Sequence, residues 1–150
     1  MKIRKILWPT DFSKSAEKAV PMVKSLTEKY DAEIHVLYVI EDIAHHDSWY
    51  GEFNEERRKK LVEHGNEQAA KRLEQICAKY LDGCPMYIRH IAMGDPASEI
   101  LKFIEKEKVD IVVMPTRGQK GLFPFGSVAE KVVKNATVSV VTVPIEENEE

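Results

Sequence analysis

At 150 residues the chain has the length of one ordinary domain, enough to bury roughly two-thirds of its unfolded surface without help from disulfides or metals. Hydrophobic residues at 43%, charged residues at 31%, seven glycines and seven prolines exclude the disordered, collagen-like and disulfide-scaffold classes. The formal charge is −3, and without the four glutamates among the last five residues it would be +1, so no clustered positive excess marks a nucleic-acid binder.

The start, Met1-Lys2-Ile3-Arg4-Lys5, is basic but runs into too few apolar residues for a signal peptide. No apolar run approaches the ~20 residues of a membrane span. Cys77 and Cys84 fit neither a CxxC spacing nor a zinc pattern. Together these read as a cytoplasmic chain in a reducing compartment.

Ile3–Trp8 reads as the first strand, continuously apolar at Ile6-Leu7-Trp8 and closed by Pro9. Asp11 or Ser13 then caps a helix whose apolar stripe is Ala16, Ala19, Val20, Val23 and Leu26, with Pro21 kinking it from within. Ile34–Ile40 is the second strand. Glu41–Gly51, with His45, His46, Trp49 and Tyr50, reads as a long loop and a flap. From about Asn54 to Leu81 runs the longest helix, with Leu61, Ala69, Leu73, Ile76 and Tyr80 inward. Its run Arg57-Arg58-Lys59-Lys60, paired with Glu55 and Glu56 at i,i+4, reads as a solvated face.

Met86–Ala92 is the third strand. Asp95 as N-cap and Pro96 in the first turn open the third helix, with Ile100, Leu101 and Ile104 inward. Val109–Met114 is the fourth strand. The fourth helix starts near Gly126-Ser127, carries Val128, Val132 and Val133, and ends around Asn135, a residue that tolerates a left-handed cap. Val138–Val143 is the fifth strand, closed by Pro144. Residues 1–145 make one domain and 146–150 a solvated acidic tail. Alternating strands and helices imply an α/β fold of three layers, a parallel sheet with helices on both faces.

In such a sheet, ligands bind past the carboxyl ends of the strands where the strand order reverses. The loop after the fourth strand is the informative one. It holds Gly118, Gly121 and Gly126, with Arg117 and Lys120, ahead of a helix that starts at Ser127. Glycine-rich turns present successive amides to an anion, and a helix N-terminus adds about half a positive charge. Phosphate suits that arrangement; a plain connecting turn is the alternative. The loop is neither a Walker sequence nor a GxGxxG fingerprint. Asp11, at the end of the first strand, can meet a ribose, a base or Mg²⁺, or simply cap a helix.

The rest of the chain offers little chemistry. There is no carboxylate pair or nucleophile–base pair for catalysis, and the third strand ends in Ala92-Met93-Gly94 rather than the aspartate of a phosphoacceptor. His45-His46-Asp47 lacks the three or four convergent ligands of a metal site. His35 and His90 read as hydrogen-bonded neighbours of the core, and Phe123 and Phe125 as loop packing.

Pro9-Thr10-Asp11-Phe12-Ser13, Met93-Gly94-Asp95-Pro96 and Gly126-Ser127-Val128-Ala129-Glu130-Lys131-Val132, in this order and ending in the Val138–Pro144 strand, resemble the universal stress protein (UspA-like) family. The resemblance implies a five-stranded parallel sheet in the order 3-2-1-4-5, of the adenine nucleotide alpha hydrolase-like kind. It also implies a homodimer through Val138–Val143 and a stress-response module that binds ATP or another adenine nucleotide, with or without Mg²⁺, with little or no turnover. On matched positions Asp11 contacts ribose or base, Val39 meets adenine through its backbone, and Gly118, Gly126 and Ser127 hold phosphates. Pro9, Thr10, Met114, Thr116, Arg117, Gly121 and Val128 complete the expected lining. The family's ATP-binding branch carries Gly-x2-Gly-x9-Gly-Ser/Thr. Here Pro115 stands at the first glycine, and seven residues separate Gly118 from Gly126. That departure motivates the alternative, a dimeric protein-interaction module without nucleotide.

Overall fold

The computed structural model describes residues 2–41, 55–84, 86–116 and 126–145. Among them the elements run β1 (Lys5–Thr10), α1 (Lys14–Glu17), α2 (Val20–Tyr30), β2 (Glu33–Ile40), α3 (Glu55–Tyr80), β3 (Tyr87–Met93), α4 (Pro96–Glu107), β4 (Ile111–Pro115), α5 (Ser127–Asn135) and β5 (Ser139–Val143). The strands form one parallel sheet in the order β3-β2-β1-β4-β5.

Period-2 alternation sorts the strand side chains into two cores. Ile6, Trp8, Ile34 and Val36 pack with Val20 and Val23 of α2 and Leu73 and Cys77 of α3. Leu7, Leu37, Val39, Val112 and Met114 pack with Ile100 and Ile104 of α4 and Ala129 and Val132 of α5. The central strand β1 is apolar on both sides because both sides are covered. Each fully buried aliphatic side chain contributes about 1.5–3 kcal/mol.

Four expectations need correction. Pro9 lies inside β1 rather than ending it, for a reason developed below. Pro21 does not kink one helix. The chain closes α1 with Ala19 N–H donating to the Ala16 carbonyl at 3.2 Å, then restarts at Val20 with Pro21 in the first turn of α2. Proline has no N–H to give to the carbonyl four residues back, and the first turn is where that loss is harmless.

Leu61 is 59% exposed, while Cys77 and Leu81 join Ala69 and Leu73 in the core. The 26 residues of α3 span roughly 39 Å, whereas the eight of β2 span about 26 Å. The amino-terminal part of α3 therefore has no sheet beneath it. Lys59 and Lys60 are exposed; the side chains of 55–58 lie outside the described residues. Last, α5 ends on Asn135 without a left-handed residue. Its C-cap Ala136 is extended, and the Asn135 side-chain amide donates to the Lys131 carbonyl at 2.8 Å.

Candidate functional site

The strand order reverses between β1 and β4. β1 pairs with β2 at all six of its residues, but with β4 only at Ile6 and Leu7. Main-chain direction explains the difference. The Arg4 carbonyl accepts from Glu33 of β2, and the Lys5 carbonyl accepts from Asp110 ahead of β4. Counting on by twos, the main chain of Leu7 and then of Pro9 faces β4. Pro9 has no N–H to offer there, so the ladder stops after Leu7 and Val112. Toward β2 nothing is lost, so Pro9 stays in the strand. Hydrogen-bonded pairing between β1 and β4 thus ends short of their carboxyl ends, at the strand-order reversal where an open α/β sheet binds its ligands in a crevice.

Past β1 the chain makes a tight turn. Thr10, buried, accepts the Phe12 N–H on its hydroxyl at 3.1 Å, and Asp11 Oδ1 accepts the Ser13 N–H at 2.9 Å. The cap of α1 is Ser13, whose hydroxyl accepts from Ala16 N at 3.2 Å. Asp11 shapes the turn ahead of it. Phe12 sits at φ 64°, a left-handed conformation that costs a bulky residue about 1–3 kcal/mol. The Trp8 indole N–H donates to the Ala16 carbonyl at 3.0 Å, anchoring α1 to the strand beneath it.

Across the crevice, Gly126 N–H donates to the Thr116 carbonyl at 2.7 Å. The two ends of the connection from β4 to α5 therefore meet, and the start of α5 stands at the carboxyl end of β4. Gly126 is the N-cap and makes no side-chain capping bond. The first-turn amides at Ser127 and Val128 and the Ser127 hydroxyl lie at this helix start. Gly126 has φ −71°, a backbone any residue adopts, so left-handed geometry is not what a glycine supplies here. Met114 is buried in the α4–α5 core.

Val39 is buried in the same core. Its main chain faces β1, because Glu33 bonds to β1 and Ile34 to the segment before β3, and odd residues of β2 repeat the Glu33 direction. Since β1 ends opposite Tyr38, the Val39 main chain faces the Asp11 turn. The architecture thus gathers Pro9, Thr10, Asp11, Val39, Met114, Thr116, Gly126, Ser127 and Val128 around the carboxyl ends of β2, β1 and β4. Arg117, Gly118, Lys120 and Gly121 lie outside the described residues, as do Phe123, Phe125, His45, His46, Asp47, Trp49 and Tyr50.

The Met93-Gly94-Asp95-Pro96 segment follows an edge strand, with β2 between it and the crevice. Asp95 caps α4, accepting from Ser98 N at 3.0 Å and Ser98 Oγ at 2.9 Å. Those bonds hold its carboxyl below the usual range. One further feature at the turn has no mark in the sequence. Phe12 lies between Tyr38, ring centroids 4.2 Å apart, and Arg72 of α3, whose guanidinium is 4.3 Å from the Phe12 centroid. Nothing in a phenylalanine signals positive φ. Away from the crevice, His35 Nδ1 and His90 Nε2 share a hydrogen bond of 2.9 Å between β2 and β3, as expected of core neighbours. Burial above all holds both rings below their ordinary value of 6.5. Among the described residues no group of three or more His, Cys, Asp or Glu is placed to hold a metal, and no helix is long and apolar enough to cross a membrane.

Residues 2–144 match the family described as the Universal stress protein family. This chain belongs to the universal stress protein family. It is 33% identical to the universal stress protein MJ0577 of Methanocaldococcus jannaschii, over 93% of this chain and 94% of the relative. The solved structure of MJ0577 superposes with a TM-score of 0.81, covering 99% of this chain and 100% of that one. The fold extends to more distant universal stress proteins. One from Arabidopsis thaliana, solved with AMP bound, is 20% identical with a TM-score of 0.68, over 97% of this chain and 94% of its own. One from Archaeoglobus fulgidus, in complex with dAMP, is 17% identical with a TM-score of 0.64, over 93% and 96%.

Proposed function

We propose that this universal stress protein is a regulatory module that binds an adenine nucleotide, ATP included, at the parting of β1 and β4, without turning it over. One observation carries the reading: pairing between these strands stops after Leu7 and Val112, with the Asp11 turn at one lip and a helix N-terminus lacking a side-chain cap at the other. A helix start favours phosphate. A carboxylate and an inward-facing main chain suit a ribose and an adenine edge. That distant members of the family were solved with AMP and dAMP supports the same ligand class. In this reading Asp11 meets ribose or base and the Val39 main chain meets adenine. Ser127 and Val128 receive phosphate, with Pro9, Thr10, Met114, Thr116 and Gly126 shaping the walls and Arg117, Gly118 and Gly121 belonging to the phosphate side. A Mg²⁺ carried in with the nucleotide would find oxygen donors in the Asp11 carboxylate and the Ser127 hydroxyl. A second copy pairs along the edge strand β5, through Val138–Val143.

A second reading has its own observation. The Gly126 amide is spent on the Thr116 carbonyl, and Pro115 has no amide, so two expected phosphate donors are lost. A dimeric protein-interaction module without nucleotide follows from that.

Thermal stability with AMP, ADP and ATP, each with and without Mg²⁺, separates the two. A ligand present at 100 times its Kd adds about 2.7 kcal/mol to the folded state. The nucleotide reading expects a rise with millimolar adenine nucleotide and no phosphate release beyond one equivalent. It also expects the rise to shrink in Asp11→Asn, which keeps an oxygen for the Ser13 amide. No rise with any of the three leaves the interaction module standing. Multiple turnovers would make the chain an enzyme instead.

A further inference from the structure

We propose that Arg72 and Phe12 are positioning residues of the crevice: the Arg72 guanidinium, laid on the Phe12 ring, holds the left-handed turn that fixes where Asp11 stands. Its consequence for ligand rests on the nucleotide reading above; its claim about the turn does not.

The argument starts from an oddity of sequence. Residue 12 needs φ 64°, which glycine adopts freely and phenylalanine does not. A strained aromatic persists only where its surroundings over-determine it, so the ring must gain something that glycine could not. The structure shows what it gains. The half-buried ring packs into the α2–α3 core. One neighbour is Tyr38, at 4.2 Å and 35° between planes. Tyr38 is the β2 residue opposite Thr10 and the one before Val39. The other neighbour is Arg72, with its guanidinium carbon 4.3 Å from the centroid, well inside cation–π range.

Arg72 is well placed for this task. Ala69, Leu73 and Cys77, spaced by four, seat α3 on the sheet. Arg72 stands beside Leu73 on the flank, exposed, and reaches over the rim to the Phe12 ring. Within the turn run two short-range bonds, Phe12 N–H to Thr10 Oγ1 and Ser13 N–H to Asp11 Oδ1. Neither ties the turn to another layer of the fold. The Phe12 ring does, joining β1, β2 and α3 at a single residue next to Asp11. A carboxylate that recognises a ligand has to be held by its supporting shell to about half an ångström, and this stack is the part of that shell contributed by α3.

The test uses Arg72→Ala, Arg72→Lys, Phe12→Gly and the Phe12→Gly/Arg72→Ala double variant. The first readout is amide exchange at Phe12 and Ser13, with Val112 and Val113 of β4 as controls; the second is the Kd for AMP by calorimetry. For Arg72→Ala, exchange at both turn amides should quicken about two- to fivefold, the equivalent of ~0.5–1 kcal/mol at 1.4 kcal/mol per decade. The β4 amides should stay unchanged and the Kd should rise by a similar factor. Arg72→Lys, still a cation, should recover part of both effects. Phe12→Gly should loosen the turn as well, and adding Arg72→Ala to it should change nothing further, because Arg72 acts through the ring. Equal weakening of AMP by Arg72→Ala with and without the ring would overturn the proposal by making Arg72 a direct ligand contact. Unchanged exchange in Arg72→Ala would overturn it outright. If the wild type binds no AMP while the turn still loosens, the nucleotide reading falls and the role of the stack stands.

Discussion

Acidification from about pH 8 to about pH 5.5 puts protons on histidines, and His35 and His90 are built to resist them. His35 is 3% exposed. Its Nδ1 meets His90 Nε2 at 2.9 Å, and among the described residues its Nε2 has no hydrogen-bond partner. The Glu33 carboxylate, 3.9 Å from that nitrogen, is too far to bond a neutral ring, though it favours an imidazolium. Lys5 of β1 and Lys106 and Glu107 of α4 supply the other nearby charges, and Phe103 of α4 packs against both rings. Burial leads, lowering both rings from 6.5, and the charge of His35 further opposes charging His90. The sign follows. Below 6.5 the unfolded chain takes up protons that the folded chain refuses, so stability is complete above that value and is lost as pH falls toward the lowered folded values. Each histidine can contribute at most about 1.4 kcal/mol per pH unit, or roughly 3–6 °C in Tm for a chain of this size.

The matched variant is His35→Leu/His90→Leu. It gives up one hydrogen bond, about 0.5–1.5 kcal/mol, and removes an orphaned buried nitrogen that costs about 1–3 kcal/mol. At about pH 8 the variant should therefore be no less stable than wild type, and its Tm should be flatter between about pH 7 and 5. Thermal denaturation across that range, alongside NMR titration of the two imidazoles, decides it. Identical pH slopes in wild type and variant, or either ring titrating at or above 6.5, would refute the reasoning.

Three further outcomes follow from single residues. Leu73→Ala should cost about 2–5 kcal/mol in chemical denaturation, because Leu73 is 1% exposed; Leu61→Ala, on the overhanging part of α3, should stay within about 0.5 kcal/mol. Gly94→Ala should destabilise measurably by the same assay. Gly94 has φ +144° and a Cβ there would stand 2.8 Å from Glu99 Oε1, so a stability equal to wild type would mean that the turn rearranges. Burial pushes the Cys77 thiol up to about 11, so a thiol reagent at about pH 8 should label Cys84 before Cys77 in the native protein, and both once unfolded.

Much of this molecule can be read from residue order because its local signals agree. Pro96 after Asp95, and Ser127 after Gly126, start helices where helices start, and unbroken apolar runs mark strands covered on both faces. The failures share a cause: each depends on what lies across the strand or beneath the helix. Pro9 looks like a terminator until the side that its missing N–H faces is known. Pro21 looks like a kink until Ala19 closes the first helix. Leu61 matches the apolar stripe of α3 but lies past the edge of the sheet. At the reversal of strand order, the resemblance pointed to Asp11, Val39 and Ser127, and the fold brings all three to the same end of the sheet. Phe12 and Arg72 were not legible, since their contact joins residues 60 apart in the chain and a positive φ leaves no mark on a phenylalanine.

The central claim is that the parting of β1 from β4 is a nucleotide site. Titrating AMP into isotopically labelled protein and following the backbone amides tests it most directly. The account predicts saturable shifts concentrated at residues 10–13, 39–41, 114–116 and 126–128. Shifts confined to the opposite end of the sheet, around Glu33, Tyr87 and Asp110, or none at millimolar AMP, would contradict it.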